Sequence, residues 1–408
     1  MLFPEYAAEM IARLRAAGFS AYAVGGCVRD SILGRTPSDW DITTSAHPRE
    51  TEAVFDDPRY RVRTGNGLRH GTVTVSLACD PDAVCEITTY RSDGVYSDHR
   101  RPEAVSFVSD IREDLARRDF TVNAMAAAPA EDGGAAEILD PYGGRADLAA
   151  GILRCVGDPS RRFDEDALRI LRGLRFAARY GFSVDGCTAD AMHAQAPLLS
   201  FIAPERIGAE LTGIFSGTFC GTAAQQFSDI FAQLLPGCSC AGAAQLLPRV
   251  PSWHLRLALL CRDCEADLLK EMLMRYAFGA ATAERIVRLR RQREAPLTTH
   301  AQLCRIANLF GEEETREYFA FRRALDPADA ALIEAETAAA ALFQPGVCYN
   351  TATLAADGRA LIAAGISAGP GLGLVLRRLT DEVIAGRLPN DRDVLIEYAK
   401  KYSEREES

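Results

Sequence analysis

The sequence predicts an α+β fold, in which an N-terminal part containing a β-sheet is followed by a helical remainder. Two patterns indicate this fold class. Short segments rich in β-branched residues alternate between residues 21 and 91, as is typical of strands. From residue 209 onward the spacing of apolar residues is almost wholly helical. A chain of 408 residues is long enough for two or more hydrophobic cores.

The composition is that of a globular chain, and we expect a cytoplasmic location. No run of about 18 apolar residues is present to span a membrane. The N-terminus carries acids at helical spacing, which differs from a signal peptide. The twelve cysteines show no framework spacing, so we expect reduced thiols. The net charge of −10 argues against a generally basic surface for nucleic acid, but not against a local basic groove.

A glycine turn comes first among the segments that carry chemistry. Residues 21–24 predict a strand, and Gly25 and Gly26 predict a tight turn. Residues 27–34 then predict a short helix. Backbone amides of such a turn bind phosphate, and Arg29 would add a charge-assisted contact.

Two aspartates separated by one residue follow the turn. Residues 40–44 predict a strand, so Asp39 and Asp41 point to one face while Trp40 points to the other. Two carboxylates on one face hold a pair of Mg²⁺ ions roughly 4 Å apart, which suits phosphoryl or nucleotidyl transfer. The alternative is a glycine turn followed by the acidic end of a strand.

A third acid lies in the strands that follow. Residues 70–77 and 83–91 predict two strands, and Glu86 lies in the second. A charged residue in such a run is costly unless it is paired or bound to metal, which makes Glu86 a candidate third carboxylate. Alternation alone leaves it equally open that Glu86 faces outward on a half-exposed strand.

The triplet Arg117, Arg118 and Asp119 stands directly before an apolar, helix-like run. One interpretation is a helix cap with solvated arginines. The other is that the triplet binds the phosphates and ribose hydroxyls of a nucleotide held at the acidic site.

A long helix is predicted over residues 158–182, ending near Gly181. Asp166 lies in it, one turn before the first of four arginines that share one face. These arginines are Arg169, Arg172, Arg175 and Arg179. Such a row forms either a solvated face or an anion site.

The sequence contains five motifs in a fixed order along the chain. They are GGCVRD with DWD (25–41), RRDFTVNA (117–124), DPYGGRADL (140–148), EDALR (165–169) and ERIGAEL (205–211). In these motifs the sequence resembles the class II tRNA nucleotidyltransferases of bacterial type, the CCA-adding enzymes of the polymerase β superfamily. The resemblance implies a mixed-sheet nucleotidyltransferase head that precedes an all-helical neck, body and tail.

The resemblance also implies roles for individual residues. Asp39 and Asp41 match the Mg²⁺ ligands of the family, and Glu86 matches the acid that completes the carboxylate set. Asp166 and Arg169 match the pair that reads the incoming base. The remaining matches are to residues that bind the nucleotide or line the primer site: Gly25, Gly26, Arg29, Arg118, Asp119, Asn123, Arg172 and Arg175.

The base-reading role has a physical reason of its own. Cytosine and adenine each present an amine donor beside a ring-nitrogen acceptor. One carboxylate such as Asp166 and one guanidinium such as Arg169 satisfy both bases. Uracil and guanine present the opposite pattern and leave a buried charge unpaired, so the pair rejects them without a nucleic-acid template.

The predicted domains and partners follow from the same resemblance. The domains are a head (1–147), a neck (148–208), a body (209–330) and a tail (331–408). We expect tRNA to bind the neck, body and tail, with CTP and ATP as substrates. No protein partner and no membrane association are predicted.

Two further stretches have alternative interpretations. Residues 284–294 contain five arginines and form either a phosphate-binding surface or a solvated helix. Cys261 and Cys264 form a C-x-x-C pair, but residues 255–273 predict one continuous amphipathic helix. Core thiols are therefore favoured over a zinc site.

Several other functions compete with CCA addition: an A-adding enzyme, a poly(A) polymerase, a nucleotidyltransferase acting on a small molecule, and a non-catalytic RNA-binding protein. The presence of both Asp39 and Asp41 favours a catalyst. Residues 90–105 occupy the place of the family's flexible loop, which CC-adding specialists lack.

Overall fold

The structure is a computed structural model that describes residues 2–65, 71–93, 105–130 and 134–406. A seven-stranded sheet forms the N-terminal part. The strands in the described ranges are β1 (Ala21–Val24), β2 (Trp40–Thr44), β3 (Tyr60–Arg63), β4 (Thr72–Leu77), β5 (Val84–Thr89), β6 (Arg91–Asp93), β7 (Val105–Phe107), β8 (Ala126–Ala128), β9 (Glu137–Leu139), β10 (Ile152–Leu153) and β11 (Ser183–Val184).

The large sheet has the order β3-β4-β5-β2-β1-β8-β9. The β2–β5 pair is parallel, and the other pairs of this sheet are antiparallel. The sheet is therefore mixed, as expected. Two small pairs, β6–β7 and β10–β11, lie outside it.

Helices make up most of the remaining chain. They are α1 (Glu5–Ala16), α2 (Gly26–Ile32), α3 (Pro48–Val54), α4 (Ile111–Ala116), α5 (Gly144–Ala150), α6 (Pro159–Glu165), α7 (Leu168–Tyr180), α8 (Gly186–Gln195), α9 (Pro204–Ser216), α10 (Cys220–Gln226), α11 (Ser228–Leu234), α12 (Ala243–Leu246), α13 (Trp253–Leu260), α14 (Ala266–Arg275), α15 (Ala280–Arg291), α16 (His300–Leu325), α17 (Ala330–Ala341), α18 (Gly358–Ala363), α19 (Pro370–Ile384) and α20 (Arg392–Glu406).

Small buried residues are concentrated in two neighbouring strands of the sheet, β1 and β8. All three alanines of β8 are buried, and so are Ala21 and Ala23 of β1. Helix α1 buries Ala7, Met10, Ile11 and Leu14, a spacing that places one apolar stripe of the helix against the core. The sheet is thus closely packed at β1, which leads directly into the glycine turn.

The prediction of a single helix over residues 158–182 is wrong, because the helix is interrupted between α6 and α7. Asp166 adopts an extended conformation, with φ −144° and ψ 101°. Its Oδ1 accepts a hydrogen bond of 3.0 Å from the backbone N–H of Leu168. A carboxylate that takes a backbone donor in this way competes with the helix and starts a new one. The predicted end is confirmed, since α7 ends at Tyr180 with Gly181 in the left-handed conformation.

Two other predicted helical segments also differ. The run after Asp119 forms a short 3₁₀ turn (Thr121–Asn123) and then β8, which pairs with β1 and β9. The helix predicted over residues 255–273 is two helices, α13 and α14, because the Glu265 carboxylate accepts the backbone N–H groups that start α14. Cys261 and Cys264 are buried, as expected for core thiols.

The chain divides into two compact units. The first comprises residues 1–236, 240–244 and 272–278, and the second comprises the rest. The finer division into head, neck, body and tail remains a prediction. Within the described residues, no helix is long and apolar enough to cross a membrane.

Candidate active site

A cavity of about 680 Å³ lies in the first unit and brings together residues from distant parts of the sequence. Every predicted site residue except Glu86 lines it. The lining also includes Cys27, Asp30, Pro37, Ser38, Arg91, Phe176, Arg179 and Arg206, which the sequence analysis did not assign to the site. The lining therefore contains nine arginines and five aspartates.

Three carboxylates lie on one face of the sheet. Asp39 and Asp41 are exposed and Trp40 between them is buried, which confirms the predicted alternation. Glu86 is exposed and is the register partner of Asp41 in the parallel β2–β5 pair. Neighbouring strands point paired side chains to the same face, so Glu86 stands beside Asp41.

The electrostatics of this set show that its negative charge is only partly balanced. The surrounding protein raises the pKa of Asp41, and the charges of Glu86 and Asp39 raise it further, while Arg118 lowers it. Carboxylates that repel one another beside an open cavity favour a bound divalent cation.

The carboxylates suit a Mg²⁺ ion that also binds substrate and water better than they suit a metal ion whose ligands all come from the protein. In the described chain, no group of three or more His, Cys, Asp or Glu side chains has the geometry of a closed metal site. Mg²⁺ characteristically uses one or two carboxylates and completes its octahedron with substrate phosphates and water. Asp39 and Asp41 can supply those carboxylates.

The glycine turn is confirmed and lies directly against an arginine. Gly25 has φ 75° and ψ −127°, a region that side chains with a Cβ avoid. A Cβ at Gly25 would lie 3.0 Å from Nη1 of Arg118. The charge of Arg118 also lowers the pKa of Asp41, so this arginine acts on the acidic face as well as lying against the turn.

Arg29 makes contacts that differ from the predicted phosphate contact. Its Nε and Nη2 donate to the two carboxylate oxygens of Asp30 at 2.9 and 3.0 Å, and its Nη1 donates to Asn123 Oδ1 at 2.6 Å. The guanidinium lies over the rings of Phe176 and Tyr180, 5.2 and 4.8 Å from their centroids. These contacts favour a positioning role, in which Arg29 ties α2 to α7.

Asp114 is a buried residue that the sequence analysis missed. One carboxylate oxygen accepts hydrogen bonds from Arg117 Nε and Nη2 at 3.0 and 2.8 Å, and the other accepts one from Arg118 Nη2 at 3.4 Å. Burial alone would raise the pKa of Asp114, but the two arginines hold it below its usual value. The signal was present in the sequence, because Asp114 stands three and four residues before two arginines that follow the end of α4 directly.

Asp119 orients the arginine row. Its Oδ2 accepts from Arg172 Nε at 2.7 Å, and its Oδ1 accepts from the backbone of Phe120 and from Asn123. Burial opposes ionisation, yet Arg172 and Asn123 lower the pKa of Asp119 to about 2. Asp119 is therefore an ionised, buried anchor that holds Arg172 at the cavity wall.

The predicted base-reading residues both line the cavity but do not form an ion pair with each other. Arg169 Nη1 donates to Glu165 at 2.9 Å, and its Nη2 donates to the backbone oxygen of Arg117 at 3.2 Å. The salt bridge of Asp166 is to Arg206, with Nη2 3.7 Å from Oδ2. Both Arg206 and Glu165 belong to motifs that were recognised, but neither was assigned to the site.

Helix α9 also fixes the next arginine of the row. Glu210 accepts from Arg175 Nε at 2.7 Å. A Cβ at Gly213 would lie 2.4 Å from Cδ of Arg175, so the absence of a side chain there lets the arginine stem lie against α9. Glu210 and Arg206 are four residues apart on this helix, a spacing that marks a shared face.

Two predicted RNA-binding features lie elsewhere. Residues 94–104 of the expected loop fall outside the described residues. The five arginines of residues 284–294 are bound within the second unit to carboxylates or backbone oxygens: Arg285 to Glu317, Arg288 to Glu314, Arg290 to Cys264, Arg291 to Asp267 and Arg293 to Asp263. Phosphate binding by this stretch stays a prediction.

Comparison with known proteins connects this geometry to a family. Residues 21–154 match the family model described as the poly A polymerase head domain, and residues 181–239 match that of a probable RNA and SrmB-binding site of polymerase A. A CCA-adding enzyme from Limosilactobacillus fermentum is 34% identical and covers 97% of this chain and 96% of its own length. One from Geobacillus thermodenitrificans is 40% identical over 63% of this chain and 62% of its own. The crystal structure of the Bacillus stearothermophilus CCA-adding enzyme in complex with CTP superimposes with a TM-score of 0.77 at 29% identity, covering 100% of this chain and 99% of that one.

Proposed function

The chain belongs to the family of CCA-adding enzymes, and from that membership we propose how its cavity adds C, C and A to the 3′ end of tRNA. The enzyme is a tRNA nucleotidyltransferase that uses CTP and ATP. One observation carries the assignment of the site. A single cavity brings together the carboxylates of β2, the glycine turn, and the residues of the EDALR motif.

Nucleotidyl transfer joins the 3′ hydroxyl of the RNA to the α-phosphate of the nucleotide and releases pyrophosphate. The triphosphate would lie along the glycine turn, where Arg118 faces Gly25. Arg172 and Arg175 would complete the phosphate-binding wall. Their carboxylate anchors, Asp119 and Glu210, fix both guanidiniums before substrate arrives, so little reorganisation is required.

The family implies a divalent metal, and we propose Mg²⁺ held by Asp39 and Asp41, with Glu86 beside them. When bound, the ions stabilise negative charge on the attacking and leaving oxygens. The carboxylates hold and orient them, and the parallel β2–β5 pair keeps Glu86 in register with Asp41.

Base selection is assigned to Asp166 and Arg169. The Asp166 carboxylate would accept the exocyclic amine of cytosine or adenine, and Arg169 would donate to the adjacent ring nitrogen. The contacts of Arg169 to Glu165 and to the Arg117 backbone support this role, because they hold the donor in one orientation.

A direct experiment tests the function. The protein is incubated with tRNA lacking its 3′ CCA and with each labelled nucleotide in turn. We expect two C additions and then one A, little use of UTP or GTP, and loss of activity with a chelator. Addition of A alone to tRNA ending in CC would identify an A-adding enzyme, and long A tails would identify a poly(A) polymerase.

We further propose a cytoplasmic location, which agrees with reduced thiols. The twelve cysteines all lie in the described part of the chain, and none of them forms a disulfide bond there. Separate assays of the cytosolic and membrane fractions for CCA addition would test it.

A further inference from the structure

The Asp166 carboxylate occupies an unusual position for a group that must accept a hydrogen bond from a base. It stands at the break between α6 and α7, where one oxygen is already bound by the Leu168 backbone. The charged groups that face it are Arg206 from α9 and Arg169 and Arg172 from α7. Its second oxygen, Oδ2, lies 3.7 Å from Nη2 of Arg206.

The two α7 arginines are committed elsewhere. Arg169 is bound to Glu165, and Arg172 is bound to Asp119 at 2.7 Å. Arg206, in contrast, forms an ion pair with Asp166. Its Nη1 is buried and makes no hydrogen bond within the described chain, and the residue lines the cavity.

Helix α9 holds Arg206 in a fixed place. The helix begins at Pro204, and its main contact is with α7. A Cβ at Gly208 would lie 2.0 Å from the backbone oxygen of Tyr276, so the helix is seated closely at that point. Four residues after Arg206, Glu210 anchors Arg175. The helix thus presents one cation and one anion to opposite charges on the cavity wall.

We propose that Arg206 is a positioning residue for base selection, which orients the Asp166 carboxylate and keeps it an acceptor toward the incoming base. This inference rests on the proposed function and assigns to it a residue outside the Asp166–Arg169 pair. Arg206 acts through Asp166 and does not itself need to touch the base.

The chemistry gives the proposal a specific consequence. Burial raises the pKa of Asp166, and Arg206 is the largest influence that lowers it. An ionised carboxylate accepts from the amine of cytosine. A protonated carboxyl has a donor instead, which matches the O4 oxygen of uracil. Loss of the Arg206 charge would therefore turn the site toward uracil as the pH falls.

The test measures single-nucleotide incorporation of CTP and UTP on tRNA lacking CCA, between pH 5.5 and 8.5, for the wild type and Arg206→Gln. We expect the pH at which CTP use declines to rise by about one unit in Arg206→Gln, with a tenfold change in the C-to-U ratio at the acid end. Arg206→Lys, which keeps the charge, should restore most of the wild-type profile. In the background of Asp166→Asn, Arg206→Gln should cause no further shift.

The controls separate this inference from the function on which it rests. Arg179→Gln removes a charge from the same cavity wall without removing a contact to Asp166, so it should leave the midpoint of the profile in place. If the wild type adds no nucleotide, the proposed function fails. If the wild type is active but Arg206→Gln loses activity equally at every pH with an unchanged C-to-U ratio, the inference is overturned. For a variant too slow to assay, the pH dependence of CTP and UTP binding decides the same question.

Discussion

At the scale of single residues, the carboxylates in and around the cavity are of two kinds: some are paired with arginines, and others are not. Asp119 and Asp114 are buried and bound by arginines, which lower the pKa of each carboxyl. Asp41 has a raised pKa because desolvation by the surrounding protein and the charges of its acidic neighbours outweigh Arg118. The first kind of carboxylate stabilises the fold. We propose that the second kind costs stability and serves binding.

Asp41→Asn tests the role of a carboxylate that is not balanced by an arginine. We expect nucleotide addition to fall by at least about a hundredfold, because loss of a metal ligand raises the barrier by several kcal/mol. The free energy of unfolding should stay equal or rise, since the substitution removes a repelled charge. Activity assays and urea denaturation measure the two effects, with the exposed Asp56→Asn as control. Near-normal turnover would contradict the assignment of Asp41.

Asp119→Asn tests whether a buried carboxylate that is paired with arginine stabilises the fold. The pKa of Asp119 is lowered from 3.8 to about 2, so its ion pair contributes stability above pH 3.8 and loses it as the pH falls toward 2. We expect the variant to be roughly 2 kcal/mol less stable at pH 7. The difference from the wild type should disappear as the pH approaches 2. Denaturation across that range measures it, with the exposed Asp190→Asn as control. A difference that is constant with pH would show that the ion pair is not its cause.

At the scale of elements, the β1–α2 turn and the α7 helix are joined by a small network. Arg29 connects Asp30 to Asn123, and the Tyr180 hydroxyl donates to Asp30 at 2.9 Å. The network places the glycine turn and the arginine-bearing helix at a fixed separation within the first unit. The geometry of the proposed phosphate site therefore depends on residues that need not touch phosphate.

Alanine substitutions in the turn test the first of these elements. Gly25→Ala forces a side chain into φ 75° and toward Arg118, and we expect a loss of about 1–3 kcal/mol in stability. Gly26→Ala is the matched control, because its Cβ would meet Arg29 Nη2 at an ordinary 3.6 Å. That variant should be as stable as the wild type or slightly more so. Thermal denaturation of the pair measures the difference. Equal stability of the two variants would refute the role assigned to Gly25.

Arg29→Lys tests the junction. A lysine keeps the charge but cannot form the two-pronged contact with Asp30 or stack between the rings, so we expect a loss of about 1–3 kcal/mol. Arg35→Lys serves as control, since Arg35 is exposed and only stacks on Tyr180. Denaturation and CTP binding are measured together. Unchanged stability with weakened CTP binding would show that Arg29 contacts phosphate after all.

At the scale of the whole molecule, an acidic chain must still bind RNA. The net charge is −10, while nine arginines line the cavity of the first unit. The densest arginine stretch of the sequence, residues 284–294, is already bound to partners within the second unit. A dense run of arginines in the sequence therefore does not by itself locate the RNA-binding surface.

Arg290→Gln tests this point. Its Nε donates to the backbone oxygen of Cys264 at 2.8 Å, so we expect lower stability with little change in tRNA affinity. The slope of affinity against salt should be unchanged, whereas loss of a phosphate contact would reduce it by about 0.7–0.9. Binding titrations at several salt concentrations give the slope. A reduction of that size would show that this helix does bind the RNA backbone.

The sequence by itself determined the local geometry of the site. Alternation along β2 fixed Asp39 and Asp41 on one face, and the glycine pair marked the turn, because these features depend only on backbone geometry within a few residues. Helical spacing likewise placed Arg169, Arg172, Arg175 and Arg179 on one face, and all four line the cavity.

Only the tertiary structure decided which charges meet. The strand order placed Glu86 beside Asp41, 45 residues away, and packing of α9 on α7 brought Arg206 to Asp166. In the sequence, each carboxylate has several arginines nearby with which it could pair. The choice among them depends on long-range packing and on competing partners, as when Glu165 takes Arg169. The break at Asp166 has the same origin, because a side chain that caps the next helix overrides the helical pattern around it.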